Sequence, residues 1–185
     1  MKTKDFLKKH DACTGGAKWA LSIGDDMADV WDAMIEQGKR DWLLWTATRP
    51  GVFPDSSLRK LACRFVRETP LSDGRKVWDL LTDERGRKAV EVAELYANGK
   101  ATAQELEAAR VAARAAWAAG LDSVWLTAGS ADATVRAATR ATARAAFAAA
   151  YDDAARAARN AACDVGDAAK AAQIKMIAEL GHPFK

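Results

Sequence analysis

The stretch RVAARAAW, residues 110–117, has a near copy in RATARAAF, residues 140–147, and the pair decides how this chain is read. Each places an arginine, a second arginine four residues on, and an aromatic ring three beyond that, with mostly alanine between. At about 100° per residue, those offsets put all three side chains on one helical stripe. Alanine is the strongest helix former because it loses no side-chain entropy. Of the 43 alanines, 33 fall between Ala101 and Ala178, so this half should form long helices that approach their neighbours closely. Superposing residue 101 on residue 131 matches 11 of 22 positions. Most matches are alanine, so the signal lies in Arg110 with Arg140, Arg114 with Arg144, Trp117 with Phe147, and Asp122 with Asp152. Arg136 and Tyr151 extend the second stripe backwards and forwards. The pattern reads as duplication of a helical unit.

An amphipathic helix usually turns its ring inward and its arginine outward, so a shared face is unusual. Three readings remain open. The helices pack through alanine while arginine stems snorkel to acidic partners or solvent. Alternatively, the stripes line a cleft for an anion or an acidic surface. In the third reading they form a self-association face, which would make the protein a homo-oligomer.

Outward from this tract the texture changes. Residues 1–99 hold three of the four prolines and five of the seven tryptophans, and read as short helices joined by tight turns. Thr3 can cap a first helix through His10, which Thr14-Gly15-Gly16 should break before a second helix, Ala17 to Ile23. Met27 to Gln37 follows Asp25-Asp26 and should end at Gly38. Asp41 to Thr48 carries WLLW, apolar on all sides and so expected to be the most buried piece. The sequence DSSLRKLACRFVRE from Asp55 has Leu58, Leu61, Ala62 and Phe65 at helical spacing. Thr69-Pro70 stops it, because the residue before proline is pushed out of the helical region. Thr82 is a candidate cap for Asp83 to Ala97, closed by Asn98-Gly99. Thr102-Ala103-Gln104-Glu105 has the capping-box pattern and opens a helix to about Ala119. Gly120 to Ser130 should interrupt the tract, with a long helix from Asp132 to about Cys163 and a last one ending near Leu180.

The expected fold class is all-α, a compact bundle of short helices followed by long alanine-rich helices packed antiparallel. The chain reads as a single helical domain, 1–185, with a Trp-rich part (1–99) and an alanine-rich part (100–185). Its length can bury roughly two thirds of the unfolded surface without a disulfide or metal staple.

Chemistry is sparse. The net charge of +3 comes from 28 basic and 25 acidic residues spread along the chain, which disfavours nucleic acid, whose partners show a concentrated basic stripe. Three distant cysteines argue against a disulfide framework. Met1 to His10 lacks an apolar core and no run reaches a membrane span, so the expected location is cytoplasmic, with no membrane partner. His10 and His182 lie near the termini, which disfavours histidine acid–base catalysis. Asp25, Asp26, Asp29 and Asp32 read as charge near a helix N-terminus rather than a cation site. Arg59, Lys60, Arg64 and Arg67 read as a solvated face. Trp19, Trp31, Trp42, Trp45 and Trp78 read as core anchors rather than ligand platforms. No metal, cofactor or catalytic set is expected.

LKKHDACTGGAKWAL near the start, WLLWTATR, LRKLACRFVRETP and the later alanine tract resemble the Imm-5-like immunity proteins, alanine-rich helical proteins of bacteria and phages. The resemblance runs over most of the chain and implies a binding protein from a conflict setting. The expectation is therefore a non-enzymatic bacterial or phage protein that neutralises a toxin or defence component by occluding it. Its candidate contact residues are Arg110, Arg114, Trp117, Arg136, Arg140, Arg144, Phe147 and Tyr151. The alternative is a sponge for a phosphate-bearing nucleotide signal, with those arginines on phosphates and Trp117 or Phe147 stacked on a base.

Overall fold

The computed structural model describes residues 1–71, 73–126, 153–162 and 167–185, with side chains at all of these except 116–126, 155 and 160. Among the described residues the fold is all-α, and only the isolated bridges Lys2–Asp26 and Pro70–Lys76 are paired in extended form. In chain order the helices are α1 (Thr3–Lys9), α2 (Thr14–Ile23), α3 (Met27–Glu36), α4 (Arg40–Ala47) and α5 (Asp55–Glu68). A 3-10 turn (Val77–Leu80) precedes α6 (Glu84–Ala97), α7 (Ala103–Leu126), α8 (Ala154–Ala161) and α9 (Asp167–Ala178).

Several boundaries follow from local chemistry. Gly38 and Gly99 sit at φ +66° and +69°, a left-handed conformation that glycine adopts without a Cβ penalty. Behind each, an amide reaches back to close the helix end, Lys39 N to Met34 O at 2.8 Å and Lys100 N to Leu95 O at 2.8 Å. The capping box of α7 forms in both directions. Thr102 N donates to Glu105 Oε2 at 2.7 Å, and Glu105 N donates to Thr102 Oγ1 at 3.2 Å.

Other expectations are corrected. Thr3 lies inside α1, with Lys2 at the cap position, and its buried hydroxyl makes no hydrogen bond among the described residues. Gly15-Gly16 does not break the chain but forms the first turn of α2, where Cys13 Sγ accepts from Gly16 N at 3.4 Å. Asp83, not Thr82, caps α6 by accepting from Arg85 N at 2.9 Å. The α7 helix runs through Gly120 to Leu126, since one interior glycine costs only about 1 kcal/mol against alanine. Of the helix expected from Asp132 to about Cys163, residues 132–152 and 163 lie outside the described residues, and Asp153 is extended and caps α8 by accepting from Arg156 N at 2.8 Å.

At the centre lies α5, which packs against α6, α8 and α9. Leu58, Leu61, Phe65 and Val66 are buried on it, and each such side chain contributes about 1.5–3 kcal/mol on leaving water. Ala157, Ala158 and Ala161 of α8 are fully buried, and methyl-sized side chains let its backbone approach α5 closely. A short turn joins α6 to α7 as an antiparallel hairpin sealed by Ala89, Val90 and Ala93 against Leu106, Ala109 and Ala113. Residues 132–150, the body of the second expected rod, lie outside the described residues.

Of the basic residues of α5, Lys60 is exposed as a solvated face requires, but the three arginines are not free in solvent. Arg59 is only 2% exposed, with its guanidinium 5.1 Å from the Tyr96 ring centre. Arg64 bonds both Glu68 (2.9 Å) and Glu179 (2.7 Å), and Arg67 pairs with Glu94 while lying 4.1 Å over Trp78. Arginine suits such places because its planar fork can bond and stack at once. Buried Arg40 donates from Nη1 to Gln173 Oε1 at 3.0 Å, and fully buried Gln173 donates to Thr69 Oγ1 at 3.4 Å, linking α4, α9 and the end of α5.

After α9 the tail returns to α1 and α3. Phe184 sets its edge against Phe6 at 5.5 Å and Trp31 at 6.0 Å. Asp32 receives Lys185 Nζ at 2.9 Å and lies 3.3 Å from His182 Nε2. The cationic Lys185 bond, ahead of the other influences, holds the Asp32 carboxyl below the ordinary carboxylate range.

Candidate functional site

Three of the tryptophans wall a cavity of about 270 Å³ where α1 to α4 meet. Trp42 and Trp45 stand three residues apart and so share one side of α4, while Trp19 reaches in from α2. All three are half-buried, whereas Leu43 and Leu44 between them are buried. Trp19 and Trp42 rings are tilted at 43° with centres 5.0 Å apart. Trp19 Nε1 also donates to Gln37 Oε1 at 3.3 Å, fixing the ring's orientation. Gly16 lies close by: a Cβ there would sit in ordinary contact, 3.6 Å, with the Trp42 indole nitrogen and tightly, at 3.3 Å, against Cys13 Sγ.

The far end of the cavity is core. Met27, Val30 and Met34 line it from α3, all essentially buried. At the near end the lining side chains include exposed Asp11, Cys13 and Asp41. The placement of Asp11 is a consequence of how α1 ends. Ala12 N donates to Leu7 O at 3.0 Å, which requires the intervening residue to turn left-handed, and Asp11 does so at φ +50°. Aspartate and asparagine tolerate that conformation better than other residues with a Cβ. Asp41 is held by Arg40 Nη2 at 2.8 Å, while Asp11 makes no ion pair among the described residues.

Cations of the chain also touch these rings. Lys39 Nζ is 5.6 Å from the Trp42 ring centre and 6.0 Å from that of Trp19. Arg49 lies 4.7 Å over Trp45 and donates from Nε to Trp45 O at 3.0 Å. Neither Lys39 nor Arg49 lines the cavity. The arrangement can seat an apolar or flat group without proton transfer, through dispersion and contact with electron-rich ring faces.

The sequence-derived contact residues fare differently. Arg110 is paired with Glu107 one turn back on α7, an internal partner of the kind the snorkelling reading requires. Arg114 is exposed on the same helix. Trp117 belongs to α7, but its side chain is outside the described residues, as are Arg136, Arg140, Arg144, Phe147 and Tyr151 altogether. Of the expected core anchors, Trp31 is one at 1% exposure, and Trp78 is half-buried beneath Arg67. Trp19, Trp42 and Trp45 pack against the core from partly buried positions, as core anchors should, and also wall the cavity. A signal existed: WLLW spaces Trp42 and Trp45 three residues apart on one side of α4, with Leu43 and Leu44 between them on the buried side. Among the described residues no group of His, Cys, Asp and Glu is arranged to hold a metal ion, and no helix is long and apolar enough to cross a membrane.

Compared with known proteins, the chain matches no family model, no curated protein and no solved structure.

Proposed function

We propose that this chain is a non-enzymatic binding protein of bacterial or phage origin that neutralises a toxin or defence component by occluding it. In this reading the tryptophan-walled cavity takes an anchor group of the target. The observation that carries it is the cavity itself: three half-buried indoles, oriented by a hydrogen bond and by ring contacts, around a space continuous with the α3 core. Recognition sites concentrate their energy in such places, where a rigid aromatic wall excludes water from one inserted group. The resemblance to Imm-5-like immunity proteins supports the same class of function.

The test is growth rescue. The chain is co-expressed with the toxic product of a neighbouring gene, and complex formation is followed by co-purification. Trp42→Ala should abolish rescue and the complex while leaving the helical far-UV signal intact. Alkylating Cys13 at the cavity mouth with a bulky maleimide should weaken the complex in the same direction. A complex that survives both changes refutes the cavity as the contact.

The sponge reading is favoured by one described feature, the exposed Arg114 on α7. It requires thermal stabilisation by nucleotides that disappears in the double variant Arg114→Ala, Arg144→Ala.

A further inference from the structure

We infer that the group seated in the tryptophan cavity is a protonated amine on an apolar or aromatic body, inserted body first with its ammonium at the mouth. This rests on the cavity being the contact site and adds the chemistry of its occupant. The argument is one of polarity along the cavity. Its inner end is Met27, Val30 and Met34, buried apolar surface that gives a charge no partner. The charged side chains that line it are both acidic and both exposed, Asp11 and Asp41. A carboxylate or phosphate ligand would meet these charges unfavourably, and a neutral apolar ligand would leave them unused.

Asp11 is the stronger of the two recognition groups. Asp41 already shares its charge with Arg40 at 2.8 Å, whereas Asp11 has no ion pair among the described residues. The left-handed α1 terminus also fixes the Asp11 backbone at the rim, so little ordering is needed when a cation arrives. Between mouth and floor the indole rings offer faces that attract cations, as Lys39 already demonstrates on Trp19 and Trp42 from outside the cavity. Size agrees too. A dry cavity of about 150 Å³ accepts benzene, so about 270 Å³ accommodates a phenyl ring with a two-carbon arm. The same chemistry is offered by a free arylalkylamine and by the amino-terminal aromatic residue of a polypeptide.

Three probes of nearly equal shape test the charge: 2-phenylethylamine, 2-phenylethanol and 3-phenylpropionate, each titrated into the full chain and followed by tryptophan fluorescence. The amine should bind at least about tenfold tighter than the alcohol, the ratio expected from one ion pair and one cation–ring contact at a partly exposed site. The carboxylate should bind weakest. Asp11→Asn, which keeps the left-handed turn, should bring the amine close to the alcohol without changing the alcohol's affinity. Phe-Gly-Gly and its N-acetylated form separate the sources. Binding lost on acetylation identifies a polypeptide terminus, and binding of phenylethylamine without Phe-Gly-Gly identifies a free amine. Equal affinity for amine and alcohol, preference for the carboxylate, or no saturable binding by any probe overturns the inference. If the inference fails while Trp42→Ala still breaks the partner complex, the cavity reading stands without it. If the amine binds selectively while that complex survives Trp42→Ala, the cavity is a ligand site and the occlusion reading falls.

Discussion

Replacing Gln173 by leucine should destabilise the protein more than its modest change in volume suggests. The Arg40 side chain is 8% exposed and its Nε makes no hydrogen bond among the described residues. Its remaining contacts are Nη1 to Gln173 Oε1 at 3.0 Å and Nη2 to Asp41 Oδ1 at 2.8 Å. Gln173→Leu removes the first of these and leaves a buried guanidinium nitrogen facing a methyl group. A hydrogen bond to a charged group contributes about 1.5–3 kcal/mol, and stranding a buried charge adds to the loss. Because Asp41 still neutralises part of the charge, the expected cost is about 2–4 kcal/mol. In a domain of this size, each 1 kcal/mol lowers Tm by about 2–4 °C, so a drop of roughly 4–16 °C should appear by calorimetry, with a matching fall in the urea midpoint. The discriminating measurement is the cycle with Arg40→Met. Removing the arginine as well takes away the stranded charge, so the double variant should be more stable than Gln173→Leu alone. A single variant within about 0.5 kcal/mol of the parent, or two losses that merely add, would show that the α4–α9 link is not an energetic unit.

Three further outcomes are expected. Phe65→Ala should cost about 3–5 kcal/mol in urea unfolding, because fully buried Phe65 sits on the helix that carries the core, and a loss below about 1 kcal/mol would mean the site collapses around the gap. Maleimide at near-neutral pH should label Cys13, which is exposed, and spare Cys63, whose thiol burial pushes up to about 12; peptide mapping that finds Cys63 modified in the folded protein contradicts this. Asp32→Asn should lower Tm slightly at neutral pH. Because the Asp32 carboxyl is held below its ordinary value, its contribution is fully present above the unfolded value of about 3.9 and disappears as pH falls through the depressed one. The parent and variant should therefore converge in acid, with a gap at pH 7 of about 0.2–1 kcal/mol because the pair is partly exposed. A gap that widens in acid refutes the assignment.

The cavity was hidden in the sequence because tryptophan is ambiguous there. Trp31, Trp42 and Trp45 all lie in apolar helical stretches, yet Trp31 is enclosed by Phe53, Phe184 and the tail while the other two look into a space. The difference is made by where α2 lies, and that depends on Gly15-Gly16 being helical. Adjacent glycines argue for a break, but the Cys13 cap satisfies the Gly16 amide in the first turn of α2. The α5 arginines show the same limit. Their spacing gave a basic stripe, but their acidic and aromatic partners, Glu94, Glu179, Trp78 and Tyr96, come from residues up to 115 positions away.

By itself the sequence determined the helical class, the apolar stripe of α5, the stop at Thr69-Pro70, the glycine-ended α3 and α6, and the capping box of α7. Each of these depends on groups within four or five residues of one another, so composition and spacing suffice. Tertiary structure alone decided which apolar side chains close a core and which wall a cavity, and which cations are spent on internal partners. Those outcomes depend on the docking of helices remote in sequence, where burial and pairing are properties of neighbours that local order does not specify.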